Sequence, residues 1–517
     1  MFSSAITSAR YFIEGETSWD QVTDRVVDAV YSAVPASARL IADTKYAMRT
    51  KKFVPGGRIL RNAGLPFHQM ANCFLFDVED SREGWGELVQ KSTVTLMTGG
   101  GVGVNYSRLR PRNSPLGRTQ GVASGPVPLI RTNNEIGRGV QCGGFRRSAL
   151  YASLRWDHPD IPEFVTMKDW PQWLRDQKAL DMDVAAPGDM TNISVALNQE
   201  FFTAYSTLSH PKHTLAREVY WSVVGNMCRS GEPGFQVDLD DQVLRNACTE
   251  IISADDGDCC VIGAVNLARC DSPGEVDTVS QLGTAFLLAV TEYSDHPLDL
   301  SRMVQIKNRR LGLGVMGVGE WFLQRNLPYG AMEIFPWFKQ YYEGSEFAAT
   351  YYAGRWGFAR PVAVRAVAPT GTISIVAETT SGIEPLFAPA YERRYLTRQG
   401  FTTEVVIDPV ALRLHGEVRD YAHVIDHETR IKFQAMVQGY VDNGISSTVN
   451  LPNIHTDPLV FGNVLIDYLP LLRGITVFPN GSRGLQPITA MPYQDAVKCL
   501  HIVDTMDSAC PSGVCSI

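Results

Sequence analysis

Short apolar runs alternate with helical stretches along most of this chain, and no other feature limits its fold so strongly. From Asn72 onward, "CFLFDV", "GVGVNYS", "NISVAL", "CVIGAVNL", "GTISIVAE" and "GITVF" each have the length of a buried strand. The stretches between them leave room for crossover helices, so the pattern predicts α/β architecture with substantially parallel strands. Upstream, "SWDQVTDRVVDAVYSAV" (18–34) predicts an amphipathic helix. Ser18 and Gln21 form a capping box there, and Val22, Val26, Val30 and Val34 share one face. Helical pattern continues to about Tyr46 and breaks at "VPGGR".

A net charge of −8 argues against nucleic acid or an anionic membrane as the main partner. No run approaches the roughly 18 apolar residues that span a bilayer; the best, "LGTAFLLAV", stops at Val290. The first residues lack a basic segment followed by an apolar one, so a cytoplasmic protein is expected. Ten cysteines are too few for a disulfide scaffold, and in a reducing compartment they point to catalytic, redox or metal chemistry. No CxxC or HExxH occurs, so no metal site is expected. No P-loop occurs either, and "TGGGVGVNYS" lacks the third glycine of GxGxxG, which leaves a tight turn into a strand. "APTGTISI" offers the hydroxyls of Thr370, Thr372 and Ser374 beside Gly371, a pattern open to phosphate binding or to a plain capped loop.

The stretch "RNACTEI" sets an amide, a thiol and a carboxylate, Asn246, Cys248 and Glu250, at alternate positions. In an extended segment all three would face one side. Cys248 is followed by the vicinal pair Cys259-Cys260, and Cys510 and Cys515 stand close together near the end, with Pro and Gly between them as in a mobile tail. Cys73, Cys142, Cys228, Cys270 and Cys499 stand alone, and a lone cysteine is ordinarily a small buried hydrophobe.

Taken in order, "VPGGRIL", "NCFLFDVEDS", "GGGVGVNYSRLRP", "SGPVPLI", "HPDIPEF", "NISVALNQEFF", "GEPGFQ", "NACTEI", "AVNLA", "RRLGLGVMG", "APTGTISI", "SGIEP", "STVNLP" and the terminal cysteine pair resemble the catalytic subunit of ribonucleotide reductase over nearly the whole chain. The resemblance implies a ten-stranded α/β barrel of two five-stranded halves, with a central finger loop and an N-terminal helical region. It divides the chain into helices at 1–65, a catalytic barrel at 66–485, and a tail at 486–517. It implies that Cys248 carries a thiyl radical that takes the 3′-hydrogen of the substrate ribose. Glu250 is then the general base at the 3′-OH, and Asn246 holds the ribose hydroxyls. Cys73 and Cys260 supply proton and electrons to the departing 2′-OH and become a disulfide. Placing Asn266-Leu267 of "VNL" on the family pattern puts Cys260 rather than Cys259 at that position, and only one of the two can face Cys73, because neighbouring strand residues point opposite ways. The resemblance further makes Cys510 and Cys515 a shuttle that a thioredoxin- or glutaredoxin-like reductant regenerates. Pro369, Thr370, Gly371, Thr372, Ile373 and Ser374 become the substrate phosphate loop. Gly57, Asn72 and Gly125 line the substrate, and Asp80 falls where the family binds a specificity effector.

The family's branches differ in how the thiol is oxidised. Where a ferritin-like small subunit supplies the radical, the catalytic chain carries a tyrosine pair; here "GITVFPNGSR" has Phe478-Pro479. Neither residue has a phenolic proton, and no glycyl-radical motif is present. The expectation is therefore the adenosylcobalamin-dependent branch, which "APTGTISI" also resembles. The alternatives are a chain served by a dimetal ferritin-like subunit, with no cofactor of its own, and a non-catalytic nucleotide-binding paralogue. The start almost directly on helices suggests no ATP-binding cone, and the 175 positions between Cys73 and Cys248 leave no room for the insertion of monomeric members. A homodimer is expected.

Overall fold

The computed structural model describes residues 2–117, 119–141, 148–181, 183–240, 242–397, 400–482 and 488–499. The first predicted helix forms as Trp19–Tyr31, opened by the Ser18–Gln21 capping box. Val22, Val26, Val27 and Val30 are fully buried on its inner face. A second helix, Ala38–Arg49, starts at Ser37, whose hydroxyl accepts the Leu40 N–H. Both pack into one core with the long helix Pro273–Tyr293, where Tyr31 meets Phe286 edge-on at 5.8 Å. Each large apolar side chain buried there stabilises the fold by about 1.5–3 kcal/mol. Among the described residues no helix is long and apolar enough to cross a membrane.

Among the described residues fifteen strands occur, in chain order β1 (Phe53–Pro55), β2 (Cys73–Asp77), β3 (Gly101–Asn105), β4 (Leu150–Arg155), β5 (Thr191–Asn198), β6 (Gly234–Asp238), β7 (Leu244–Arg245), β8 (Ile252–Ser253), β9 (Cys259–Asn266), β10 (Leu311–Met316), β11 (Ala390–Thr397), β12 (Gly400–Ile407), β13 (Thr448–Leu451), β14 (Gly474–Pro479) and β15 (Ile488–Met491). β2 to β6 pair in sequence order, all parallel, and make one half of the barrel. The other half runs β9, β10, the segment around Arg365–Val367, β13 with the bridged Ile445 ahead of it, and β14, again parallel. The halves meet antiparallel on both sides, β2 against β9 and β6 against β14, which closes the sheet. The halves close into the expected α/β barrel; its continuous sheet has ten strands because β1 joins it, while the segment at 365–367 is tied in by isolated bridges.

Two sequence expectations change. "GTISIVAE" is a helix, Gly371–Ala377, not a strand. A short apolar run buried on several sides does not reveal its period, and here Thr370, at φ +50°, turns the chain into helix. The expected helical region 1–65 also contains a strand, β1, which pairs with β9. At the other end β15 lies within the expected tail segment, yet it pairs with β11 in a small separate sheet.

β7 and β8 form a short antiparallel ribbon whose tip, 246–251, is threaded through the barrel. The barrel strands must therefore leave space for backbone. At Gly103 on β3 a Cβ would sit 1.9 Å from the Arg245 carbonyl oxygen, and at Gly101 it would sit 3.1 Å from the Ala247 Cβ. The glycines of "GGGVGV" thus make room for the finger. Gly103→Ala is expected to destabilise the protein by about 1–3 kcal/mol, since backbone cannot retreat from the added methyl. Gly121→Ala, in open space, is the control. Equal urea midpoints for the two variants would show that the finger is not held against β3.

Candidate active site

The finger tip is not extended. Thr249 adopts φ +68°, its N–H donates to the Asn246 carbonyl at 3.0 Å, and the Ile251 N–H donates to Asn246 Oδ1 at 3.0 Å. Asn246 thus caps its own turn, a local hydrogen bond that competes with strand pairing. Alternate positions on a strand are not what groups Asn246, Cys248 and Glu250; a tight turn does it. The turn is held from across the barrel by the Gly444 N–H, which donates to the Glu250 carbonyl at 2.7 Å.

The outgoing leg is fixed by charge. Arg245 is buried and its guanidinium donates to Asp238 Oδ1 at 2.7 Å, to the Val237 carbonyl at 3.0 Å and to the Gln242 carbonyl at 2.7 Å. Asp238 in turn accepts from Gln236, which accepts from the Tyr151 hydroxyl. Burial pushes the Asp238 carboxyl up to about 6 despite the Arg245 charge. Sequence reasoning passed over Arg245 and Asp238; the only signal was the arginine heading the "RNACTEI" stretch.

Cys73 on β2 stands directly opposite Cys260 on β9, a cross-strand pair in register, whereas Cys259 stands opposite Phe74. Cys260 faces the barrel interior with Leu75, Ile251, Ile262, Ala366 and Ala368. Cys259 packs on the other face of the sheet, against the outer core. Cys248 approaches the pair from the finger. The Cys73 sulfur beside it, burial and the Glu250 carboxylate push its thiol well above the usual range. Burial, then Glu250 and Cys73, raise Cys260 likewise. At neutral pH these two groups are S–H, poor nucleophiles but competent hydrogen-atom and proton donors.

Burial also pushes the Glu250 carboxyl up to about 7, against a smaller downward pull from the Asn246 amide. Asn246 Nδ2, Glu250 Oε2 and Asn72 Oδ1 are buried without a hydrogen-bond partner in the protein. Such atoms occur elsewhere among the described residues as well, so it is their position at the finger, not their presence, that bears on function. Three of them beside three thiols form a site arranged for a small polar molecule.

The remaining predicted residues divide. Ala366 and Ala368 line the interior beside Cys260, so the loop Pro369–Ser374 leaves the barrel at the site. Thr370 Oγ1 accepts the Gly382 N–H at 2.8 Å, Ser374 Oγ meets Ser381 Oγ at 2.9 Å, and Gly371 opens to free space. The first-turn N–H groups of this helix, from Gly371, Thr372 and Ile373, have no helical acceptor. Gly57 turns toward Tyr11, and its neighbour Gly56 is the residue against Asn72, 3.2 Å from Oδ1 by its Cβ position. Gly125 does not reach the thiols. It opens the helix Pro126–Gly139 at φ +78° and helps to line a separate cavity of about 610 Å³. Gly101, not Gly125, stands beside the Cys73 sulfur, at 3.1 Å. Asp80 lines that separate cavity with Trp85 and Leu116, paired to Arg110 at 2.7 Å. Cys142, Cys510 and Cys515 lie outside the described residues.

Comparison with known proteins agrees with the geometry. The family model described as "Ribonucleotide reductase, barrel domain" matches residues 71–222, 240–353 and 359–461. A vitamin B12-dependent ribonucleoside-diphosphate reductase of Thermoplasma acidophilum is 27% identical over 95% of this chain and 74% of that protein. A putative adenosylcobalamin-dependent ribonucleoside-triphosphate reductase of Mycobacterium phage D29 is 25% identical over 86% of this chain and 76% of that protein. Among solved structures, the class Id ribonucleotide reductase alpha subunit of Actinobacillus ureae superposes with a TM-score of 0.76. The match covers 96% of this chain and 98% of the other at 16% identity, a likeness of fold. A barrel closed around a finger cysteine, an opposed thiol pair beneath it and a family match across most of the length converge on one conclusion: this chain belongs to the ribonucleotide reductases, as a catalytic subunit.

Proposed function

We propose that the chain reduces ribonucleotides at the finger site by thiyl-radical chemistry, with adenosylcobalamin as the radical source. The observation that carries the chemistry is the in-register Cys73–Cys260 pair beneath Cys248, with the unpartnered Asn246 and Glu250 atoms alongside. Cys248 gives up its thiol hydrogen atom and, as a radical, takes the 3′-hydrogen of the ribose. Glu250 accepts the 3′-OH proton, and Asn246 holds the hydroxyl as it becomes a carbonyl. The 2′-OH leaves as water after taking a proton from the thiol pair. Cys73 and Cys260 together surrender two electrons and two protons and join as a disulfide. The 3′-hydrogen then returns from Cys248. Ribonucleotide and dithiol become deoxyribonucleotide, disulfide and water.

Phosphates of the substrate suit the N–H groups at Gly371–Ile373 and the hydroxyls of Thr370, Thr372 and Ser374. Asp80 and its cavity suit the specificity effector. Cys510 and Cys515 act as the shuttle between the internal disulfide and a thioredoxin-like reductant, and the working form is a homodimer.

Adenosylcobalamin, when bound, supplies an organic radical able to oxidise a thiol. Phe478 and Pro479 end β14, so that strand end holds no phenol to relay a radical from another subunit. Phe478 is the register partner of Asn450, which lines a cavity of about 330 Å³ with Ser374, Thr379, Ser381, Tyr391 and Asp408. Those hydroxyl, amide and carboxyl groups could hold one edge of the amide fringe of a corrin, which as a whole exceeds this volume. The B12-dependent names of the relatives that align over most of the chain support the same reading.

The decisive experiment is an anaerobic assay of purified protein with ribonucleotide, dithiothreitol and adenosylcobalamin. Product is expected without a second protein and in the presence of hydroxyurea, and Cys248→Ser is expected to yield none. Activity that requires a metal-loaded small subunit would instead favour the alternative radical source. The pH dependence follows from Glu250. A base must be deprotonated, so kcat/KM is expected to rise with pH, flattening above about 7, where the buried carboxyl titrates. Glu250→Gln is expected to cost about 10²–10⁴-fold. Finally, mild oxidation or a single turnover is expected to join Cys73 to Cys260, read by peptide mass mapping. A link from Cys73 to Cys259 would contradict the register.

A further inference from the structure

A second buried ion pair lies behind the site and touches none of its thiols. Asp258 and Arg310 are both buried, with Arg310 Nε 2.8 Å from Asp258 Oδ2. Asp258 is fully engaged. Oδ1 accepts the Cys259 N–H at 2.8 Å, and Oδ2 also accepts the Ser253 hydroxyl at 2.6 Å and Asn308 Nδ2 at 2.9 Å. Arg310 Nη1 donates to Asn443 Oδ1 at 3.1 Å, and that same oxygen takes the Ile252 N–H at 3.4 Å. Asn443 Nδ2 holds the Arg365 carbonyl at 3.0 Å, and the next residue, Gly444, holds the Glu250 carbonyl.

The network therefore joins four separate stretches of chain. They are the returning leg of the finger at Ile252–Ser253, the start of β9 at Asp258–Cys259, the entry to β10 at Asn308–Arg310, and the turn at Asn443–Gly444. Glu250 sits two residues before one anchored point and Cys260 two residues after another. A buried pair of this kind adds little stability over well-packed apolar residues, because both ions must be desolvated. What it does supply is direction: a carboxylate that accepts from four donors fixes all of them at once.

We propose that Asp258, Arg310 and Asn443 are positioning residues for the reduction, holding Glu250 and the Cys73–Cys260 pair in one frame. The base must act at the 3′-OH and the dithiol at the 2′-OH of the same ribose. A displacement of about 1 Å in one relative to the other costs rate steeply while leaving substrate binding nearly intact. This rests on the roles given above to Glu250 and Cys260.

The test uses Ser253→Ala, which removes one hydroxyl from the network, and the double variant Asp258→Asn with Arg310→Gln, which removes both charges together and leaves neither ion unpaired. Each is assayed in the full cobalamin-loaded enzyme, with Glu250→Gln as reference. Expected for the double variant are a KM within about twofold of the parent and a kcat lower by about ten- to a hundredfold. Its pH midpoint, set by Glu250 in the parent, is expected to move. Ser253→Ala is expected to show the same split on a smaller scale, and it decides the matter if the double variant does not fold. Parental kcat and pH midpoint in a folded variant, alongside an inactive Glu250→Gln, would overturn the positioning role alone. Parental kcat in Glu250→Gln would overturn the reading beneath it, and the positioning role with it.

Discussion

Everything at this site depends on carrying a length of polar backbone through the inside of a closed barrel. Such a segment has no water to satisfy it and no room unless the barrel strands provide both. Space comes from missing side chains, at Gly101 and Gly103 on one wall and at Gly444 on the other. Hydrogen bonds come from buried charged and amide side chains. Arg245 and Asp238 serve the outgoing leg, and Asp258, Arg310 and Asn443 serve the returning leg. The two halves of the barrel meet antiparallel, so β2 and β9 can set two thiols face to face beneath the tip.

The same enclosure determines the chemistry. A thiol near neutral pH in water is partly thiolate and reacts as a nucleophile. Enclosed with another sulfur and a carboxylate, Cys248 is held as S–H, the form from which a hydrogen atom can be taken. Glu250 is shifted the same way and for the same reason, which brings a carboxyl into the range of a useful base at neutral pH. Polar atoms on Asn72, Asn246 and Glu250 are buried here without a protein partner, which a hydroxylated molecule could satisfy.

Much of this was legible in the residues. Alternating apolar runs predicted β2, β3, β5, β9 and β14, and the capping box at Ser18 located the first barrel-packed helix. The resemblance selected Cys260 over Cys259; in the sheet it is Cys260 that lies opposite Cys73. The finger was read less well. Spacing alone suggested an extended strand, because a period of two says nothing about a residue at φ +68° or an asparagine capping its own turn. Gly125 was assigned to the substrate wall because a glycine in a matching motif carries no side chain to show where it points. In the structure Gly101, not Gly125, is the glycine beside the Cys73 sulfur.

The sequence by itself determined the class of fold, the family and the inventory of reactive groups. Those follow from local pattern and from residue types, which need no knowledge of distant contacts. Only the tertiary structure decided which thiols face each other, which glycines make room and which charges hold the finger. Cys73 and Cys260 are 187 positions apart, as are Arg310 and Asn443 by 133. No local propensity encodes such meetings; they exist because a ten-stranded sheet closes on itself and leaves a single interior for all of them to share.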